Sequence, residues 1–399
     1  MKKSIVSRRE FIQLGMLAGS SILLSRTAFA KPSGEAPVIK GVVPLSNRGN
    51  VISAGYAAHN TSAVFSRWEF ERRPIAENDI LIDIKFASIC HSDIHQIHGD
   101  WGNTPYPQVP GHEIAGIVVA TGSKVTKFKV GDRAGVGCMV DSCMVCDSCK
   151  SGLEQHCDNN ATLFTYGFPD KREPTGITQG GYANNIVVRE HFAVHIPDSI
   201  SLQEAAPLLC AGITTYSPLM KGYFKKGDKV GIAGIGGLGH IAVKLAVSMG
   251  AEVYAFTTTE SKISSIKDMG AKEVIYVDKP DKLNQYKGIL DYMISTIPYD
   301  YDLSSYASTV KPDGFFTQVG MPTNFSYNIN NIALSLSRVN YNASLIGGIP
   351  ETQDVVNYCA KNRVLPEIQI INANEITEAY KKVVNKEARF RFVIDSSTI

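Results

Sequence analysis

The chain carries almost no net charge: among its 399 residues, 40 lysines and arginines stand against 38 aspartates and glutamates. The positive excess sits in the first thirty residues (Lys2, Lys3, Arg8, Arg9 and Arg26 against Glu10), and the rest holds 35 basic and 37 acidic residues. That balance leaves no electrostatic footprint for nucleic acid or an anionic membrane surface. Low-complexity tracts and tandem repeats are absent too, and the composition is that of an ordinary soluble globular protein. The length exceeds what one domain commonly needs and suits two, with room for a sizeable core.

Nor is there an apolar run long enough to span a bilayer. The stretch FIQLGMLAGSSILL is diluted by glycine and serine and falls short of the ~20 residues a spanning helix needs. Before it stands the basic MKKSIVSRREF with the pair Arg8-Arg9, and after it comes TAFA, which offers an A-x-A site at Ala28 and Ala30. The three parts resemble a twin-arginine signal over residues 1–30, read by export machinery that moves proteins already folded. An uncleaved anchor is the alternative. The expected location is the periplasm, with Lys31 as the new N-terminus and KPSGEAP as a flexible lead-in.

No long amphipathic pattern occurs before about residue 200. From about 38 the chain reads as strands and turns; in DILIDIKF, Ile80, Ile82, Ile84 and Phe86 alternate with Leu81, Asp83 and Lys85, the signature of a half-buried strand. The character then changes. KVGIAGIGGLGHIAVKLAVSMGAEVYAF is an apolar strand, a glycine turn, an amphipathic helix and a second strand, a βαβ unit. The expected class is α/β: a β-rich domain, a nucleotide domain over 206–342, and a tail at 343–399.

Gly234, Gly236, Gly237, Leu238 and Gly239 lie in a G-x-G-x-x-G turn between strand and helix, where glycines permit a pyrophosphate to approach the helix N-terminus. At the end of the second strand, where a carboxylate would favour NAD, stand Thr257, Thr258, Thr259 and Lys262. Hydroxyls and a cation suit a 2′-phosphate, while Glu260, if turned inward, would repel one. The balance favours NADP(H).

Four cysteines crowd one polar stretch: Cys143, Cys146, Cys149 and Cys157 in DSCMVCDSCKSGLEQHC. Disulfides between such close positions would close strained loops, whereas two-residue spacings and one longer return suit a tetrahedral zinc site. Cys138 and Cys359 fall outside the spacing and read as small buried hydrophobes. A second set is dispersed, with Cys90, His112, Glu113 and Cys210 far apart. Spacing alone cannot assemble it; singly, Cys210 would be core and His112 a turn histidine.

Taken together, CHSDIH, VPGHEIAG, GDRAGVGCMVDSC, LLCAGITTYSPL, GIGGLGH and RFRFVID resemble the zinc-dependent medium-chain alcohol dehydrogenases. The nearer likeness is to their cinnamyl alcohol dehydrogenase and bacterial NADP-dependent aldehyde reductase branch. The resemblance implies a GroES-like catalytic domain from both ends of the chain (38–205 and 343–399, with a structural-zinc lobe at 138–157), a Rossmann domain, a cleft between them, and a homodimer. It implies two zinc ions: a structural one on the four-cysteine lobe, and a catalytic one on Cys90, His112 and Cys210 with Glu113 in reach. Asp93 would orient the histidine. Ser92 and His95 would relay a proton through a ribose hydroxyl, and Thr214 would touch the cofactor. His91 and His98 carry no such role and read as solvated or structural. Ser88 stands where the family often has glycine. Trp101 and Tyr106 are expected to line an apolar pocket suited to aromatic or medium-chain aldehydes. A polyol dehydrogenase and an exported zinc protein without turnover are the competing readings.

Overall fold

A computed structural model describes residues 49–102 and 104–399. The leader expected over 1–30, and the start of the first domain expected at 38, lie outside them. Strands β1 (Val51–Ala58) and β2 (Phe65–Arg72) form an antiparallel ribbon. It is followed by β3 (Asp79–Ser88), the spine of a seven-stranded sheet. The expected alternation in β3 holds for its isoleucines but fails at Leu81, which is fully buried with Val51, Ala120 and Val187. The ribbon and the neighbouring strands cover its second face there, so both faces are apolar.

The remaining first-domain strands are β4 (Ile114–Thr121), β5 (Arg133–Val136), β6 (Met139–Asp141), β7 (Leu163–Phe164), β8 (Asn185–Arg189) and β9 (Ala193–His195). Helix α1 (His91–His98) follows β3 and stops at Gly99, whose φ of 73° gives the left-handed cap. Strands β6 and β7 pair at the base of the four-cysteine loop.

Helix α2 (Ala211–Leu219), buried at every position, leads into the second domain. Its strands are β10 (Lys229–Ala233), β11 (Glu252–Thr257), β12 (Glu273–Tyr276), β13 (Leu290–Ser295), β14 (Val310–Gln318) and β15 (Asn340–Ala343). All pair in parallel, in the order β12-β11-β10-β13-β14-β15, and α3 (Gly239–Ser248) makes the first crossover. This is the doubly wound Rossmann order, and the strand order reverses between β10 and β13, where a crevice opens at the strand ends. Val230, Ile232, Tyr292 and Ile294 are fully buried at its centre, and each large aliphatic side chain so buried contributes about 1.5–3 kcal/mol.

The tail returns. Strands β16 (Ile368–Asn372) and β17 (Arg391–Asp395) pair in parallel, and β17 lies antiparallel on β3 with Val393 opposite Ser88. The first sheet is thereby completed as β16-β17-β3-β4-β5-β9, with β8 also on β3. This closure matters for the site, because it brings residues 386–391 to the mouth of the crevice. Among the described residues no helix is long and apolar enough to cross a membrane.

Candidate active site

Between the two sheets runs a cleft of about 810 Å³. At one end three segments meet: the turn from β3 into α1 carries Cys90, the loop before β4 carries His112 and Glu113, and the residue before α2 is Cys210. All four are buried, and their ligating atoms lie within 4.8 Å of one another. Cys90 occupies the N-cap of α1, its backbone N–H donating to Asp93 Oδ2 at 2.9 Å. Asp93 is wholly buried and also accepts from Tyr182 (2.8 Å) and from the Gly111 N–H (3.3 Å).

His112 Nδ1 sits 2.9 Å from Asp93 Oδ1 and 3.2 Å from the Tyr166 hydroxyl. An ionised carboxylate only accepts, so Nδ1 carries the proton and the Nε2 lone pair is left for a ligand. Burial alone would lower the pKa of His112, but the Asp93 carboxylate together with Cys138 and Cys90 outweighs it and the net direction is up.

Glu113 is held from below. Its Oε1 accepts from the Arg391 guanidinium and from the Ala211 N–H (3.3 Å), while Oε2 is buried without a partner. Burial pushes its pKa up to about 7 against the pull of Arg391. Two thiols and an imidazole nitrogen form a three-donor set that fits zinc, and the fourth position falls to the unpartnered Glu113 oxygen, to water or to substrate. Ser88 is buried two residues before Cys90, with its N–H on the Glu113 carbonyl at 2.9 Å.

Ser92 and His95 both face the cleft. The structure does not hydrogen-bond them to each other: Ser92 Oγ is 3.8 Å from Cys90 Sγ, and His95 Nδ1 is 2.7 Å from Asp100 Oδ2. His95 Nε2 is buried and unpartnered. Trp101 also lines the cleft, its ring 5.7 Å from that of Phe325 and its indole N–H on the Pro322 carbonyl at 3.3 Å.

Two expectations need correction, those for Tyr106 and Cys138. Tyr106 does not line the cleft: its hydroxyl donates to the Ile97 carbonyl at the end of α1, which turns the ring into the core. His91, read as solvated or structural, is half-buried on the cleft wall, where burial lowers its pKa to about 4. Cys138 faces the same cavity as Cys210 rather than packing as plain core, whereas Cys359 is fully buried. His98 is exposed, against the Thr61 carbonyl at 2.9 Å.

At the other end of the cleft lies the glycine turn after β10. Gly234 has a φ of +84°, and a Cβ at Gly239 would stand 2.1 Å from the Gly234 carbonyl oxygen, so helix α3 can start there only without a side chain. Gly236 faces open space. Thr214, Leu238, Thr257, Thr258, Thr259 and Lys262 line the same cavity, while Gly239 lies beneath it. Glu260 is exposed and, among the described residues, makes no ion pair with Lys262. The turn, open backbone and hydroxyls fit a phosphorylated dinucleotide.

The four-cysteine loop is a separate site. Cys143 and Cys149 Sγ atoms are 3.8 Å apart, and Cys146 and Cys157 3.9 Å. A tetrahedron with metal–sulfur bonds of about 2.3 Å has edges of about 3.8 Å, so the loop is already shaped for zinc. Backbone N–H groups of Cys146, Cys149 and Asp158 point at these sulfurs at 3.4 Å. The Cys143 pKa is lowered chiefly by the N–H groups of Val145 and Cys146, which favours the thiolate a metal needs. None of the eight cysteines is disulfide-bonded.

Sequence reasoning missed Tyr166, Tyr182, Asp100 and Arg391. Arg391 stood in the quoted RFRFVID stretch and Asp100 only five residues after His95, so both had a local signal; Tyr166 and Tyr182 come from distant segments that only the fold brings in.

Comparison with known proteins agrees with this geometry. Residues 76–198 match the alcohol dehydrogenase GroES-like domain family and residues 237–361 the zinc-binding dehydrogenase family. The chain is 44% identical over 346 residues to NADP-dependent alcohol dehydrogenase C 1 of Mycolicibacterium smegmatis, covering 87% of this chain and 98% of that protein. It is 42% identical over 344 residues to the aldehyde reductase YahK of Escherichia coli, covering 86% and 97%. Among solved structures, a CAD from Helicobacter pylori complexed with NADP(H) superposes with a TM-score of 0.83 at 43% identity, covering 87% of this chain and 99% of that one.

Proposed function

The chain belongs to the zinc-dependent medium-chain alcohol dehydrogenases, and from that premise we propose that it uses zinc and NADP(H) to interconvert aromatic or medium-chain aldehydes and primary alcohols. The observation that carries the reading is a single cleft with the Cys90, His112, Cys210 cluster at one end and the glycine turn with Thr257–Thr259 and Lys262 at the other. When bound, zinc supplies Lewis acidity at the substrate oxygen and NADPH supplies the hydride.

The chain's own residues do the rest. Cys90, His112 and Cys210 hold the metal, and Asp93 fixes the ring of His112. Ser92, in the first turn of α1, lines the cleft, and its hydroxyl gives its proton to the product oxygen. His95 holds the replacement proton at Nε2, its orientation set by Asp100 at Nδ1. Trp101 and Phe325 wall the substrate end with apolar rings. Lys262 and the threonines hold the 2′-phosphate end.

The test is turnover by purified protein with NADPH. Benzaldehyde is expected to be reduced with a kcat/KM at least roughly tenfold above acetaldehyde, about 1.4 kcal/mol of apolar contact. Mannitol oxidation exceeding benzyl alcohol oxidation would overturn the substrate class. Full aldehyde reduction by Cys90→Ala would overturn the site assignment.

Two further elements belong to this reading. The edge strand β15 and helix α4 (Asn331–Ser337), on which Ile332 and Leu336 are 69% and 84% exposed, support a homodimer across that edge. The leader sends the enzyme to the periplasm folded, with its thiols occupied by metal before they meet an oxidising compartment. Nucleotide analysis of denatured periplasmic protein checks this: about one NADP(H) per chain supports work after export, and disulfides among Cys143, Cys146, Cys149 and Cys157 would end the idea.

A further inference from the structure

The segment 386–391 enters β17 and therefore belongs to the first sheet, yet it lies over the turn that ends β11 of the second. Arg389 Nη2 donates to Ser261 Oγ at 2.9 Å, and Arg389 Nη1 is buried without a partner. The neighbouring Lys262 is buried, with Nζ 5.2 Å from the centroid of the Phe390 ring. Lys386 Nζ lies 5.0 Å over the Tyr299 ring, and both lysines line the cleft with Thr257, Thr258 and Thr259. Among the described residues none of these three cations has a carboxylate partner.

Two further cations gathered on one spot beside the buried Lys262, with no carboxylate among them, disfavour its charged form unless an anion joins them. The effect shows in Lys262, whose pKa is brought down to about 8, first by burial and then by Arg389 and Lys386. The spot borders the threonine hydroxyls, so the anion that relieves it is one attached to the cofactor's ribose.

We propose that Arg389 and Lys386, contributed by the catalytic domain, complete the 2′-phosphate site begun by Lys262 and Thr257–Thr259, so that preference for NADP(H) is built across the cleft from both domains. This rests on the NADP(H) reading above. The 2′-phosphate then acts as a tie between the domains as well as a label on the cofactor, and a cofactor lacking it leaves the cation cluster unpaired. The guanidinium of Arg389 is suited to the part, since one of its terminal nitrogens is anchored on Ser261 and the other remains to donate.

The experiment measures dissociation constants of NADPH and NADH for the zinc-loaded enzyme and for Arg389→Ala, Lys386→Ala and Arg389→Lys, with 2′,5′-ADP and 5′-AMP as fragments. Arg389→Ala is expected to weaken NADPH and 2′,5′-ADP roughly 10- to 100-fold, with no matching loss for NADH or 5′-AMP. Lys386→Ala, from a more exposed position, should do the same roughly threefold to tenfold, and Arg389→Lys should recover part of the loss. A wild-type enzyme that binds NADPH more tightly than NADH, with a ratio unmoved by either alanine variant, would overturn the proposal alone. Equal loss for both cofactors in Arg389→Ala would overturn it too, as a structural role. Wild-type preference for NADH would instead remove the underlying reading, and that measurement needs no variant.

Discussion

The molecule builds two clusters from nearly the same ligands by opposite routes. The lobe gathers Cys143, Cys146, Cys149 and Cys157 within one loop, around a short helix at Asp147–Lys150 whose N-cap is the Cys146 sulfur itself. Its sulfurs are steadied by backbone N–H groups of the same loop and by the Asn159 side chain at 3.3 Å from Cys143. The cleft cluster draws Cys90, His112 and Cys210 from three remote segments and steadies them with buried side chains: Asp93, Tyr166, Tyr182 and Arg391. A loop that supplies all four ligands leaves no vacancy for a reactant, which is what a structural metal site requires. A site assembled by the fold can leave one direction open toward a cleft. The price of that opening is dependence on everything around it.

The largest way to separate the two is at the ligands. His112→Ala should lower kcat/KM for aldehyde reduction at least roughly thousandfold, about 4 kcal/mol of lost transition-state stabilisation. The same variant should hold one zinc per chain instead of two by metal analysis and melt within a few degrees of wild type. Turnover within tenfold of wild type would show that the dispersed cluster is not the reactive one. Cys146→Ser should do the converse. Losing one ligand of the lobe should lower the melting temperature by about 10 °C or more, while kcat of the remaining folded enzyme changes less than tenfold. If it melts unchanged, the lobe contributes no folding free energy and the comparison collapses.

The same contrast explains what could be read from the chain beforehand. The lobe was legible because its ligands, spacing and turns are neighbours in sequence, and the glycine turn because strand, Gly234–Gly239 and helix are contiguous. The dispersed ligands became legible only through resemblance; nothing in the spacing of Cys90, His112 and Cys210 says they meet. Tyr106 was misread because an aromatic near the histidines can face either way, and the Ile97 carbonyl that turns it inward is visible only once α1 ends. Leu81 was misread because one strand's pattern does not show how many layers cover it. Tyr182 lies 89 residues from Asp93 in the chain, and no local pattern points from one to the other.

The finer test replaces supports rather than ligands. Tyr182→Phe removes one donor from Asp93 and leaves the nearby Tyr380 hydroxyl, 3.4 Å from that of Tyr182, without its neighbour. A buried hydrogen bond to a charged acceptor contributes about 1.5–3 kcal/mol, and a lost support of this kind typically costs 10- to 100-fold in metal affinity. Competition with a chelator should therefore show the cleft metal leaving first, at roughly tenfold lower chelator than in wild type.

The smallest effect belongs to the matching change in the lobe, Asn159→Ala. Asn159 is exposed, so water takes over the donor to the Cys143 sulfur when the amide is removed. Cys143 also keeps the backbone N–H of Cys146, which no side-chain substitution can delete. Stability should change by less than about 0.5 kcal/mol, and chelator competition should leave the order of metal loss as it is in wild type. An effect as large as that of Tyr182→Phe would mean that the lobe, too, depends on outlying side chains. The difference between a site written into one loop and a site assembled by the fold would then be one of position in the chain alone.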